Sequence, residues 1–277
     1  MSRVWFVTGS STGLGRELCE ELLRQGQTVV ATARKIGAVR DLESGDCLAA
    51  ELDVTKPETI KAAVAATLAR FGRIDVLVNN AGYGEMGVIE EFSDERARRQ
   101  FDTNVFGVLN VQREVLPVMR KQRSGHVLQL SSIAGIASYP FVGMYCATKH
   151  ALEAISEAMA SEVAPFGVRV TLVEPGRFRT DFAGRSLGLP PVNEGDYKEL
   201  TEARIAAYED VDGKQAGDPL KAARAMIAVV NSENPPLRLL LGPDAYEWAN
   251  EKIAQLQRDF EAWKEVSLAT NLEEVGV

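Results

Sequence analysis

The stretch MYCATKH (144–150) sets a tyrosine and a lysine, Tyr145 and Lys149, four positions apart, with Ser131 and Ser132 just upstream. A phenol can give or take a proton at a carbonyl oxygen, but its ordinary pKa is about 10. A neighbouring cation stabilises the phenolate and lowers that value. On a helix, positions i and i+4 share a face, which would place Lys149 beside Tyr145. A neutral hydroxyl such as that of Ser132 could hold the same substrate oxygen. Taken alone, Tyr and Lys at this spacing are usually a surface contact, so the pair gains meaning only from the company it keeps.

That company begins near the N-terminus. After the apolar run VWFV comes TGSSTGLG (8–15), with Gly9, Gly13 and Gly15 spaced GxxxGxG. A glycine turn between a strand and a helix lets backbone N–H groups approach a pyrophosphate, helped by the helix N-terminus. The end of the second strand separates the two nicotinamide dinucleotides, because an acid there would bind a ribose 2′-hydroxyl and repel a 2′-phosphate. Here the strand ends ATARK, with Ala33 at the expected acid position and Arg34 and Lys35 following. A guanidinium grips phosphate with a planar fork, which favours NADP(H) and leaves NAD(H) possible. The competing reading makes Arg34 a solvated loop charge.

The elements that must position these groups alternate along the chain. Apolar runs at VWFV, TVVATAR, CLAAELDV, IDVLVNNAG, GHVLQLSS, VRVTLVEPG and LRLLLG read as strands. Between them, LGRELCEELLRQG, TKPETIKAAVAATLARFG, the long segment 93–122, YCATKHALEAISEAMASEVAPFG and DPLKAARAMIAVVNS carry helical periodicity. Gly26 and Gly72 are placed as C-terminal glycines, and Thr55 with Glu58 has capping-box spacing. Continuous apolar strands separated by helices predict an α/β fold, a single doubly wound parallel sheet of Rossmann-like type with helices on both faces. We expect one dinucleotide-binding and catalytic domain over 1–243, with 184–217 a lid or a static insertion, and a C-terminal helix and tail over 244–277.

Bulk composition excludes several function classes. Of the 277 residues, 45% are hydrophobic and 25% charged, with a formal net charge of −8. No basic run suggests nucleic acid. No apolar stretch approaches the ~18 residues of a membrane span, and the N-terminal run is too short for a secretory leader. Cys19, Cys47 and Cys146 are scattered and odd in number, which fits a reducing cytoplasm. The two histidines, His126 and His150, and these cysteines lack metal-ligand spacing, so no metal is expected. Both histidines read as surface or satisfied polar residues, Cys146 as an inert thiol beside the Tyr145 helix, and Ser131 as packing or backbone capping.

Taken together, TGSSTGLG (8–15), LDV (52–54), NNAG (79–82), Asn104, Ser132, YCATK (145–149) and PGRFRT (175–180) resemble the short-chain dehydrogenase/reductase family of the classical type, in the family's order. The resemblance covers about residues 3–242. SSIAG and YCATKHALE resemble the branch holding some hydroxysteroid and retinol dehydrogenases and bacterial carbonyl reductases. The resemblance implies Tyr145 as general acid and base, Lys149 lowering its pKa and holding the nicotinamide ribose, Ser132 orienting the substrate oxygen, and Asn104 holding a relay water. It implies a cofactor site of Gly9, Ser11, Thr12, Gly13, Leu14, Gly15, Arg34, Lys35, Asp53, Val54, Asn80, Ala81, Gly82, Pro175, Gly176 and Thr180, with Tyr145 and Lys149. Asp53 could instead help start the next helix, Asn79 reads as a strand tie, and Asn104 could also stabilise a kink. Some NADP-using relatives carry a base just before the second glycine; here that residue is Thr12, which leaves 2′-phosphate recognition to Arg34 and Lys35.

Substrate choice should fall to loops the motifs do not fix. Met86, Tyr139, Phe141, Met144, Phe178, Phe182 and Leu187 would make an apolar pocket, hence a lipophilic ketone, aldehyde or alcohol as the small-molecule partner; several could equally be core residues. The resemblance also implies a homodimer or homotetramer built on the helices at about 94–122 and 144–166. A dinucleotide-binding redox sensor without turnover is the alternative from another class, and epimerase or dehydratase chemistry a third reading.

Overall fold

The computed structural model describes residues 2–182 and 186–272. In chain order the main elements are β1 (Val4–Val7), α1 (Gly13–Arg24), β2 (Thr28–Ala33), β3 (Cys47–Glu51), α2 (Pro57–Phe71), β4 (Val76–Asn79), β5 (Gly84–Glu85), α3 (Asp94–Phe101) and α4 (Gly107–Gln122). There follow β6 (Gly125–Leu130), α5 (Gly143–Val163), β7 (Val168–Pro175), β8 (Leu187–Gly188), α6 (Lys198–Val211), α7 (Pro219–Asn231), β9 (Arg238–Leu241), α8 (Pro243–Ala262) and α9 (Lys264–Leu268). Seven strands form one parallel sheet in the order β3-β2-β1-β4-β6-β7-β9, the Rossmann-like arrangement expected from the alternation.

The strand alternation divides the core in two. Along β1, Trp5 and Val7 face α1 and α7 through Leu18, Leu22, Ala223 and Met226. Val4 and Phe6 face α2, α4 and α5 through Ile60, Val111, Val115 and Met159. Period-two side-chain alternation does this, and burial on both faces explains why the strands read as unbroken apolar runs. The strand order reverses between β1 and β4, which opens a crevice at their carboxyl ends.

Two local readings change. The segment 94–122 is not one uniform helix: a π-helical turn over Asp102–Phe106 separates α3 from α4. The capping box at Thr55 does not form, because Pro57 opens α2 and Lys56 takes the N-cap; the Thr55 hydroxyl instead donates to Asp53 at 2.7 Å. Gly72 does end α2 with φ 76°, and Gly26 has φ 68° after α1. Residues 184 and 185 of the expected lid and 273–277 of the tail lie outside the described residues. Of the rest of 184–217, β8 pairs with β5 and Gly217 bridges Phe178. Every residue from Ile253 to Leu272, a stretch that holds the second half of α8 and all of α9, is exposed.

Candidate active site

Ser131 and Ser132 leave the end of β6 just as the sheet stops. Ser132 starts a short 3-10 turn, its hydroxyl accepting from the Ala134 N–H at 3.1 Å and directed at the Pro175 carbonyl at 3.4 Å. The first turn of α5 brings Tyr145 to the same place, close enough for the Ser132 hydroxyl to act on its phenol. Burial pushes the Tyr145 pKa above its ordinary value and the Ser132 contact opposes that, so the phenol holds its proton at neutral pH.

Lys149 lies one turn later and is buried. Its Nζ is 5.6 Å from the centre of the Tyr145 ring and donates to the Leu130 carbonyl at 2.7 Å. Burial lowers its pKa to about 8, while Glu153 acts in the opposite sense. Asn104 sits in the π turn and is fixed on three sides: Oδ1 accepts from the Tyr83 N–H at 3.1 Å, and Nδ2 donates to the Tyr83 carbonyl at 2.8 Å and to Thr148 at 3.2 Å. Its side chain thus ties the loop after β4 to α5.

The glycine turn is a close-packed cradle. Gly9 has φ 69°, and a Cβ there would meet the Ala81 Cα at 2.9 Å. A Cβ on Gly15 would meet the Gly9 carbonyl at 2.6 Å and run into the Asn80 amide. Asn80 Nδ2 donates to both the Thr8 and Gly9 carbonyls at 2.9 Å, and Thr8 Oγ1 accepts from the Asn80 and Ala81 N–H groups at 3.0 Å. Helix α1 starts after Thr12 with no side-chain cap and no acid in its first turn. Its first N–H groups therefore lack side-chain partners, the condition under which a helix N-terminus takes an anion. Ser11, Thr12 and Leu14 line this turn half-buried, and a Cβ on Gly13 would stand 3.5 Å from Thr180 Cβ. Thr180 is thereby brought opposite the cradle, while Pro175 lies against Ser132 and Gly176 packs on the Asp244 carboxylate, which accepts from the Arg177 N–H at 2.8 Å.

At the end of β2, Arg34 and Lys35 are exposed, and their side chains make no hydrogen bond or ion pair among the described residues. The Arg34 charge is felt at Asp53, whose Oδ1 accepts from the Thr55 N–H and hydroxyl at 3.0 and 2.7 Å. Burial raises the Asp53 pKa, but those hydrogen bonds and the nearby Lys56 and Arg34 outweigh it and leave a net lowering. Val54 is buried against Gly107 of α4, and Gly82 packs on Asn104.

An apolar cluster borders Tyr145. Met86, Ala134, Phe141, Val142, Cys146 and Leu187 are buried there, with Tyr139, Ile205 and Tyr208 packed against them. The Phe182 ring lies 5.5 Å from the Tyr145 ring. Phe178 is not part of this cluster; it packs on the α1/α7 side of the sheet, beside Gly217. Met144 is half-buried on α5 outside the cluster. Sequence reasoning missed Ile205 and Tyr208, although their spacing of three in an otherwise polar helix marks one apolar face. It also missed Glu85, a buried carboxylate ion-paired to Arg96 and, at 2.7 Å, to Arg99, which anchors β5. Asn79 donates to Gln129 at 3.2 Å across the sheet. His126 is buried against Thr171 at 3.0 Å and Cys146 is buried beside Tyr145. No cluster of metal-binding side chains occurs, and no helix is long and apolar enough to cross a membrane, among the described residues.

Comparison with known proteins places this geometry. A family model described as short chain dehydrogenase matches residues 3–187. The chain is 38% identical to oxidoreductase BOA17 of Botryotinia fuckeliana over 98% of this chain and 100% of that one. It is 38% identical to 3-ketodihydrosphingosine reductase of Bacteroides thetaiotaomicron, covering 87% of this chain and 88% of that one. A short-chain dehydrogenase structure from Streptomyces avermitilis superposes with a TM-score of 0.89 at 39% identity, covering 98% and 100% of the two chains. A Burkholderia cenocepacia short chain dehydrogenase in complex with NADP gives a TM-score of 0.74 at 27% identity, covering 94% and 97%.

Proposed function

We propose that this chain, which belongs to the short-chain dehydrogenase family, is an NADP(H)-dependent oxidoreductase that interconverts a lipophilic ketone or aldehyde and its alcohol. One observation carries the reading: a protonated Tyr145 with the Ser132 hydroxyl against it and Lys149 beside it, at the strand ends that also hold the glycine cradle.

The cradle, the uncapped start of α1 and the exposed guanidinium of Arg34 support a dinucleotide carrying a 2′-phosphate, and we assign Asp53 to its adenine end. When bound, the nicotinamide supplies or accepts the hydride at the carbonyl carbon. Ser132 then holds the carbonyl oxygen by a hydrogen bond, and Tyr145 gives that oxygen its proton in reduction or removes it in oxidation. The Lys149 ammonium has donors beyond the one given to Leu130, which suits it to ribose hydroxyls, and its charge favours the phenolate as oxidation proceeds. Asn104, in the π turn, is the residue we assign to holding a relay water toward Lys149.

The cluster of Met86, Phe141, Leu187, Ile205 and Tyr208, with Phe182 over Tyr145, supports an apolar substrate, as does a relative named as a keto-lipid reductase. Three free, buried thiols suit a cytoplasmic setting, and assembly through α4 and α5 is the arrangement we favour. The test is a pair of titrations with NADPH and NADH, followed by turnover on a panel of aryl, steroid-like and long-chain ketones. Preference for NADPH with turnover supports the reading; NADH preference removes the Arg34 argument.

A further inference from the structure

One helical turn beyond Lys149, α5 carries Glu153, and the adjacent strand β7 carries Glu174 directly before Pro175. Both are buried, Glu174 completely. The two carboxyl groups lie side by side, both within reach of the one Arg238 Nε. Glu153 Oε1 and both Glu174 oxygens have no hydrogen-bond donor among the described residues. Two ionised carboxylates facing each other in the core would be repelled and left unsatisfied. A single proton between them supplies the missing donor.

The surrounding charges agree. From β9, Arg238 places Nε 3.2 Å from Glu153 and 3.6 Å from Glu174, and gives an Nη2 contact of 2.6 Å to Glu157 of α5. Lys149 is the other cation, and Ser131 is the neighbouring hydroxyl across Gly135. Glu153, Glu174 and Glu157 against Lys149 and Arg238 is an excess of one acid, which one bound proton cancels. Burial and the neighbouring Glu153 push the Glu174 carboxyl well above the usual carboxylate range, and Arg238 opposes this.

We propose that Glu153 and Glu174 share one proton and act as a positioning pair through Lys149, holding a single negative charge one turn from the lysine that serves Tyr145. The link to Lys149 rests on the oxidoreductase reading; the shared proton does not. The pair differs from a solvated acidic patch in that its charge is fixed by the partner: either residue alone ionises, and both together cannot. In oxidation, that charge keeps the Lys149 ammonium protonated in an otherwise apolar setting.

Infrared difference spectroscopy on the purified full-length chain near neutral pD tests the pair without any substrate. A protonated-carboxyl stretch is expected in the wild type, and its loss in both Glu153→Gln and Glu174→Gln. Absence of that band, or its persistence in both variants, overturns the shared proton. The pH profile of alcohol oxidation tests the action on Lys149. Each single amide variant leaves one negative charge and should leave the descending limb, set by loss of the Lys149 ammonium, in place, whereas the double variant should move it to lower pH by about one unit. Equal, additive movements in the two singles would mean that both carboxylates are ionised, and an unmoved double variant would confine the pair to the core. A wild type without turnover on any ketone would sink the oxidoreductase reading, while the infrared band still decides the pair.

Discussion

The Lys149 ammonium stands 5.6 Å from the centre of the Tyr145 ring while its own hydrogen bond goes to the Leu130 carbonyl, not to the phenol. Lysine and tyrosine therefore interact through space, as charge and ring, with the Ser132 hydroxyl the nearby group that favours the ionised phenol. Replacing Tyr145 by Phe removes only the proton carrier. We expect Tyr145→Phe to fold and bind NADPH normally and to lose at least about 100-fold in turnover. Fluorescence titration and steady-state rates check both halves; unchanged turnover would end the catalytic assignment.

Cofactor choice should respond to one side chain. With no partner among the described residues, Arg34 can be changed without damage to the fold. Arg34→Ala should weaken NADPH about tenfold or more and leave NADH nearly untouched, and Arg34→Glu should favour NADH. Equal losses for the two dinucleotides in a titration would show that Arg34 reads no 2′-phosphate.

Gly15→Ala tests the cradle. The added methyl meets the Gly9 backbone carbonyl and the Asn80 side-chain amide, which is itself bonded to the Thr8 and Gly9 carbonyls. Overpacking of this kind costs about 1–3 kcal/mol. We expect a lower thermal midpoint together with weakened dinucleotide binding, whereas Gly37→Ala, with nothing within 4 Å, should change neither.

His126 gives a pH dependence of stability. Burial, with Arg169 and Arg3 nearby, lowers its pKa from 6.5 to about 4. The unfolded chain then binds a proton below about 6.5 that the folded chain refuses until about 4, so this contribution is full above 6.5 and is lost as pH falls toward 4. The difference amounts to about 3 kcal/mol at most. Urea unfolding at pH 7.5 and 4.5 should show a smaller acid loss in His126→Gln than in the wild type; equal losses would mean that His126 titrates normally.

The substrate wall should separate binding of the two ligands. Phe182→Ala removes the ring packed against Tyr145 and should raise KM for apolar ketones several-fold with NADPH affinity unchanged. A proportional loss for small polar ketones would argue against an apolar contact.

The parallel sheet, the glycine cradle and the Ser132–Tyr145–Lys149 grouping were legible because each depends on short-range pattern: apolar runs, a strand-to-helix turn, and i,i+4 spacing. Local pattern also misled. Thr55 and Glu58 have capping-box spacing, but Pro57 between them resets the helix start. A polar Asn104 inside a helical segment allowed a kink there, but not its form as a π turn, which arises where α3 and α4 join around the Tyr83 loop. Phe178 and Met86 looked alike as apolar loop residues, yet they pack in different clusters on either side of a turn. The meeting of Glu153 with Glu174 and Arg238 joins three elements distant in sequence, and only the strand order brings them together.

Asn80 uses both of its amide hydrogens on the carbonyls of Thr8 and Gly9. The shape of the phosphate cradle is therefore settled when β4 docks beside β1, before any ligand arrives. Ordering that loop is part of folding rather than of binding, and a dinucleotide would meet a rigid receptor with little entropy left to lose. Affinity for the cofactor is in this sense written into the sheet: a side chain that sends no donor toward the ligand still sets how tightly it is held.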